Sequence, residues 1–228
     1  MVSLITQGNS SDPAGRPFLR RRWEPWAAMV GVVALIGVLV WWKALTTTEG
    51  DHAAMACNSP SPASSTSTSA AAPATLGSRF SPSRLRDVDP AALSQSHVRV
   101  FNANGQRGQA AHVASELSDL GFASAPDVQI GNDPVYVNGD LECTGQIRFG
   151  VNGRPAAAAV QLVAPCAELI EDKREDNTVD FVLGSLFRDI RPSTDAEEVL
   201  KALKNPAPGT TSAAIDPKLL EAARHAKC

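Results

Sequence analysis

One stretch constrains the rest of the chain. Residues 26–42 read WAAMVGVVALIGVLVWW and carry no charge. As a helix rising ~1.5 Å per residue, they would span about 26 Å. Ala44 and Leu45 extend the run, and Lys43 can snorkel, so the length approaches the ~30 Å hydrocarbon core of a bilayer. Trp23, Trp26, Trp41 and Trp42 are all the tryptophans of the chain, and they bracket this run. Indole rings partition to membrane interfaces, which fits that placement. A buried core helix would need a large domain around it, whereas the flanks here are polar. The expectation is a single transmembrane helix over residues 26–45.

Topology follows from charge. The tail, residues 1–25, carries Arg16, Arg20, Arg21 and Arg22, while only Lys43 precedes Glu49 and Asp51 after the span. The positive-inside rule then expects a cytoplasmic N-terminus and an extracytoplasmic C-terminal domain at the cell membrane. A cleaved signal peptide, or lipidation at Cys57 after Ala54-Met55-Ala56, is the lesser alternative. Those sites normally follow the apolar core by a few residues, and here the gap is longer and charged.

Residues 46–96 are rich in Ser, Thr, Pro and Ala, a composition unable to bury a core. A flexible linker of that length would hold the domain about 40 Å from the span. Phe80, Leu85 and Val88 are candidates to dock as the first irregular segment of the domain. The net charge of −3 leaves no dominant basic face, so nucleic acid is not an expected partner.

The folded domain is expected over residues 97–190. Residues 97–101 alternate as a strand, with Val98 and Val100 on one face. Asn102 to Gly105 is turn chemistry. A helix follows with Val113, Leu117 and Leu120 at i, i+4 and i+7, closed by Gly121. Residues 128–130 and 135–137 are short strand candidates, and residues 146–150 (QIRFG) are the next strand. Pro155 opens a small-residue helix over residues 156–163. Residues 167–171 and 178–184 (TVDFVLG) supply two more strands. The class is α/β: a small sandwich of order β-α-β-β-α-β-β. Over residues 191–228, helices capped by Ser193 and Asp216 form a C-terminal extension, either packed or free.

The stretch VRVFNANGQRGQAAHVASELSDLGF resembles the opening of the LytR C-terminal domain family, and TVDFVLG resembles its closing strand. The resemblance covers about residues 98–187. The frame CTGQIRFGVNGRPAAAAVQLVAPCAELIEDKREDNTVDFVLGSLF, with the N-terminal span, further resembles actinobacterial envelope-integrity proteins. That resemblance implies an accessory, non-catalytic cell-envelope role, with no cofactor. In larger relatives a phosphotransferase domain precedes this one; the linker stands in its place here, so that activity does not carry over.

An extracytoplasmic compartment is oxidising, so the four cysteines are expected to pair. Cys143 and Cys166 bracket a strand and a helix, and joining them would stabilise the fold by roughly 3 kcal/mol. Cys57 and Cys228 would form the second pair. No CxxC or neighbouring His accompanies a cysteine, so no metal site is expected. The turn holding Asn102, Asn104, Gly105, Arg107 and Gly108 is a ligand-binding candidate, because it aims helix N-terminal N–H groups outward beside a cation. A plain strand-to-helix turn needs the same glycines. His112 and Glu116, four residues apart on a helix, are read as a solvated pair, and the mixed run 171–176 as a loop with internal ion pairs. No catalytic motif is present. The expected function is binding of a wall polymer, an envelope lipid or an envelope protein. The alternative is an enzyme acting on envelope glycans or lipids.

Overall fold

The structure is a computed structural model, and it describes residues 24–46, 56–62, 75–205, 215–225 and 228. Of the tail expected at residues 1–25, residues 1–23 lie outside the described residues, as do the linker portions 47–55 and 63–74. Two compact units divide at Thr48. The first contains α1 (Glu24–Thr46). Its window Pro25–Trp42 has a mean hydropathy of 2.0 and no buried residue. It is long and apolar enough to cross a membrane.

The second unit is a mixed α/β domain. Its elements are β1 (Ser78–Arg79), α2 (Pro82–Arg86), β2 (His97–Asn102), α3 (Gln109–Leu120), β3 (Ala123–Ser124), β4 (Ile130–Asn132), β5 (Gly145–Phe149), α4 (Arg154–Val163), β6 (Glu168–Glu171), β7 (Val179–Leu183), α5 (Thr194–Lys204) and α6 (Pro217–Arg224). The sheet order is β1-β6-β5-β7-β2-β3, with β4 also pairing β2. Two β-α-β crossovers build it. The pair β2 and β3/β4 flank α3, and β5 and β6 flank α4; each strand pair is parallel. The two halves meet where β7 runs parallel to β2 and antiparallel to β5.

Register divides the sheet into two chemical faces, because side chains alternate with period two. On one face Val100, Phe181 and Ile147 lie in one row across β2, β7 and β5. Among the described residues, all helices of this unit cover that face. Residues 156–160, 162 and 163 of α4 are buried, and their small side chains let the helix lie between the sheet and its neighbours. Phe80 packs edge-on against Phe149 at 5.4 Å, and Leu85 and Leu93 are fully buried. The folded unit therefore begins well before His97. The C-terminal helices are packed: Val199, Leu200, Leu203 and Leu220 belong to the same core. Ser193 accepts a hydrogen bond from Ala196 N, and Asp216 from Lys218 N, as their capping role requires.

Two sequence expectations are corrected. Residues 135–137 are not a strand. The Asp133 carboxylate accepts the backbone N–H groups of Val135 (3.1 Å) and Tyr136 (2.6 Å) and bends the chain into a turn. The disulfides also differ from expectation. Cys143 pairs with Cys57, and Cys166 pairs with Cys228. Cys57 lies beside Cys143 on the face of the sheet that carries no helices, whereas Cys166 lies just after α4, next to the C-terminal end of the chain. The Cys57 sulfur is thereby committed to Cys143, which leaves no thiol for a lipid. The bridges span 86 and 62 residues, so each contributes up to about 4–5 kcal/mol in the chain-entropy model. Peptide mapping without reductant is expected to recover these two pairs. Removing both Cys166 and Cys228 is expected to lower stability by several kcal/mol in denaturant melts, with the loss of protection beginning in α6.

Candidate functional site

The face of the sheet without helices carries charge. Arg99, Asp180 and Arg148 stand in one row across β2, β7 and β5. Arg99 Nε donates to Asp180 at 2.6 Å, and Arg174 also reaches Asp180, at 2.5 Å. Arg174 pairs with Asp172 at 2.6 Å as well, so the 171–176 run holds one internal ion pair, and its other partners, Asp180 and Arg154, lie outside the run. The Arg174 guanidinium is pushed upward from its ordinary range by these carboxylates, despite the opposing effect of burial. Thr178 holds the Asp176 carboxyl below its ordinary value through a hydrogen bond.

At the centre lies Arg148, 4% exposed, against Asp133, 3% exposed. The guanidinium grips Asp133 with two hydrogen bonds of 2.7 and 3.2 Å. Its remaining donors reach Gln146 Oε1. Gln146 in turn donates to Glu168 at 2.9 Å, and Glu168 pairs with Arg79 of β1 at 2.6 Å. This continuous chain satisfies charges that would otherwise be buried alone. Asp133 thus holds Arg148 with both carboxylate oxygens and, through Oδ2, the 135–136 backbone as well, and so fixes the loop that runs from β4 to β5.

That loop forms one wall of a cleft of about 510 Å³. Tyr136, Val137, Asn138 and Gly139 line this wall, together with Ile130 and Asn132 of β4. The facing wall is the turn between β2 and α3, with Asn102, Gly105, Arg107 and Gly108. Four of the five ligand-binding candidates are therefore gathered in one cleft. Asn104 is not: its amide donates to Gln109 and to the Gly184 carbonyl, both at 2.7 Å, and locks the turn against the end of β7. Asn102 also shapes the turn, accepting from Asn104 N and donating to the Gln106 carbonyl.

Glycine is required where the walls meet. Gly105 and Gly139 both have positive φ (73° and 67°), and a Cβ on Gly139 would lie 3.1 Å from Gly105 N. Gly108, with φ 82°, starts α3 without a side-chain cap, and no acid occupies the first turn. Arg107 is exposed and has no ion-pair partner among the described residues. The cleft thus offers one free cation and uncapped N–H groups on one wall, and the apolar side chains Ile130 and Val137 on the other. Among its lining residues there is no carboxylate, imidazole, thiol or aliphatic hydroxyl. The exposed His112 and the half-buried Glu116 lie 3.4 Å apart on α3, outside the cleft. No cluster of metal-ligating residues occurs among the described residues.

The strand candidate at residues 128–130 anticipates β4 two residues early, whereas the wall formed by residues 136–139 is hidden in a strand-by-strand reading of the sequence. Its available signal was the pair of turn motifs Asp133-Pro134 and Asn138-Gly139. The chain's one tyrosine, Tyr136, donates its hydroxyl to the Asn58 carbonyl at 2.5 Å. Burial raises its pKa above the ordinary 10.0. The native phenol holds its proton more tightly than the unfolded one, so its contribution to stability is complete below about pH 10 and is lost as the pH rises through the native value. Ultraviolet titration of the phenolate is expected to give a native midpoint above that of the urea-unfolded chain. Gly139→Ala is expected to destabilise the domain by about 1–3 kcal/mol, because the positive φ strains any residue with a Cβ.

The family model for the LytR cell envelope-related transcriptional attenuator matches residues 95–187. The cell envelope integrity protein Cei of Mycobacterium tuberculosis is 42% identical over 221 residues, covering 96% of both chains. The crystal structure of the soluble domain of a conserved hypothetical secreted protein from Mycobacterium marinum is 46% identical. It superposes with a TM-score of 0.60, covering 68% of this chain and all of that one.

Proposed function

The chain belongs to the family of the cell envelope integrity protein Cei, and on that premise we propose that it is a single-pass membrane protein whose extracytoplasmic domain supports the cell envelope by binding a component without transforming it. The apolar helix α1, the arginines before it and the two disulfides support this placement, since such bridges persist in oxidising compartments. The description of the Mycobacterium marinum relative as secreted supports the same side of the membrane.

The observation that carries the binding role is the lining of the cleft. Arg107 and the uncapped start of α3 suit an anionic or hydroxyl-rich group, and Ile130 and Val137 suit an apolar neighbour. An envelope lipid or lipid-linked glycan combines both characters. A bare wall polymer uses only the first, and an envelope protein would have to insert a side chain. General acid–base chemistry needs a group that titrates near neutrality and touches the reacting atoms. The cleft supplies only a tyrosine and an arginine as titratable groups, which favours binding over the enzyme alternative.

The test uses the full chain in detergent, exposed to a fractionated envelope extract. Melting temperature reports binding, and mass spectrometry identifies what is retained. The expected result is an anionic amphiphile that raises the melting temperature and is recovered chemically unchanged. Arg107→Glu is expected to weaken its binding about 10- to 100-fold, as loss of a charge-assisted hydrogen bond implies. Recovery of a converted product would overturn the non-catalytic role, and retention unaffected by Arg107→Glu would overturn the cleft as the site.

A further inference from the structure

The residues that anchor the chain after α1 sit on the back of the cleft wall. Cys57 is bonded to Cys143. Asn58 donates to the Asp140 carbonyl at 2.8 Å and accepts Glu142 N–H at 2.7 Å. Tyr136, a residue of the cleft wall, donates its buried hydroxyl to the Asn58 carbonyl. Arg79 holds the Cys57 carbonyl at 2.9 Å. This is a covalent and hydrogen-bonded clamp on the loop whose other side faces the ligand space.

The clamp changes the length of the tether. A linker over residues 46–96 would separate the span from the domain by some fifty residues. With Cys57 fixed, only residues 47–56 connect α1 to the domain. Whatever conformation they take, ten residues cannot span more than about 36 Å.

We propose that the Cys57–Cys143 bridge sets the reach of the cleft, holding it to the phosphate-bearing head groups of membrane-borne amphiphiles rather than to wall polymer further out. This rests on the reading of α1 as a membrane span and of the cleft as the binding site. The tether enters at the wall of the cleft itself, so the limit applies to the site directly and not to some remote part of the domain.

The test uses the full chain in vesicles of phosphatidylcholine and phosphatidylglycerol, with a photo-crosslinking residue at Val137 on the cleft rim. The key variant carries twenty Gly/Ser residues inserted after Thr48, which leaves every cysteine and every clamp residue in place. Lipid adducts are expected with the parent chain. They should fall roughly five-fold with the insertion, since effective concentration drops as about the −3/2 power of tether length. A double variant, C57A/C143A, should lower the yield in the same direction; the insertion variant keeps the test decisive if that one does not fold. Adduct yield independent of the insertion, or no lipid adduct from a folded parent chain, would overturn the proposal. Binding itself is read apart from reach, by the rise in melting temperature that glycerol phosphate produces in the parent chain and not in R107E. If that rise is absent while insertion-sensitive adducts are present, the binding role fails and the reach limit stands.

Discussion

The fold and the cleft both depend on the buried pair of Asp133 and Arg148. Two opposite charges in a low-dielectric environment are stable only if each remaining donor and acceptor is matched. Here Gln146 accepts two further guanidinium hydrogens, and the carboxylate also accepts the amides of Val135 and Tyr136. The pair therefore links a rigid central strand to an irregular loop. Removing either partner would strand a charge, at a cost of about 3–5 kcal/mol. A hydrophobic pair could replace the charges but could not cap the loop amides, and the cleft wall would lose its geometry.

The two faces of the sheet divide the work. The helical face is dry and supplies the stability of the domain through Val, Leu, Phe and Ala. The other face holds the ion-pair row, the Cys57–Cys143 bridge, the Asn58 clamp and the cleft wall. A close approach completes it: a Cβ on Gly184 would fall 2.1 Å from the Cys143 carbonyl, so the loop crosses β7 where a side chain would block it. Ser185 N and Leu186 N then bond to the carbonyls of Leu141 and Cys143. Binding in such a cleft depends on structure that is built once and held by charge and covalent bonds, as preorganised sites require.

Much of the fold was legible in the sequence because local signals agreed with the tertiary outcome. The apolar run 26–42, the β2–turn–α3 unit ending at Gly121, the Pro155 helix start and the caps Ser193 and Asp216 are examples. Four of the five turn residues named from the sequence line the cleft, since turn glycines and a cation next to a helix start share one short segment. The rest was hidden for identifiable reasons. Four cysteines allow three pairings, and spacing alone does not choose among them; the bridges close over 86 and 62 residues and join irregular segments, Cys57 to Cys143 and Cys166 to Cys228, that no local pattern brings together. Val135 and Val137 alternate like a strand, yet the Asp133 carboxylate accepts the backbone N–H groups of Val135 and Tyr136 and turns the chain instead. Phe80, Leu85 and Val88 were legible as docking residues because they interrupt an otherwise polar stretch, and they do join the core together with Leu93. A start of the folded unit at His97 is too late, because the low-complexity look of residues 46–96 masks how far back that packing extends.

The most direct measurement is amide hydrogen exchange on the Arg148→Met variant, compared with the parent chain. If the Asp133–Arg148 pair fixes the cleft wall, the amides of Tyr136, Gly139 and Leu141 should lose protection first and by the largest factor, while those along β2 and β7 retain more. Unchanged protection at those three amides, or a loss no greater than that along β2 and β7, would contradict the role assigned to the pair.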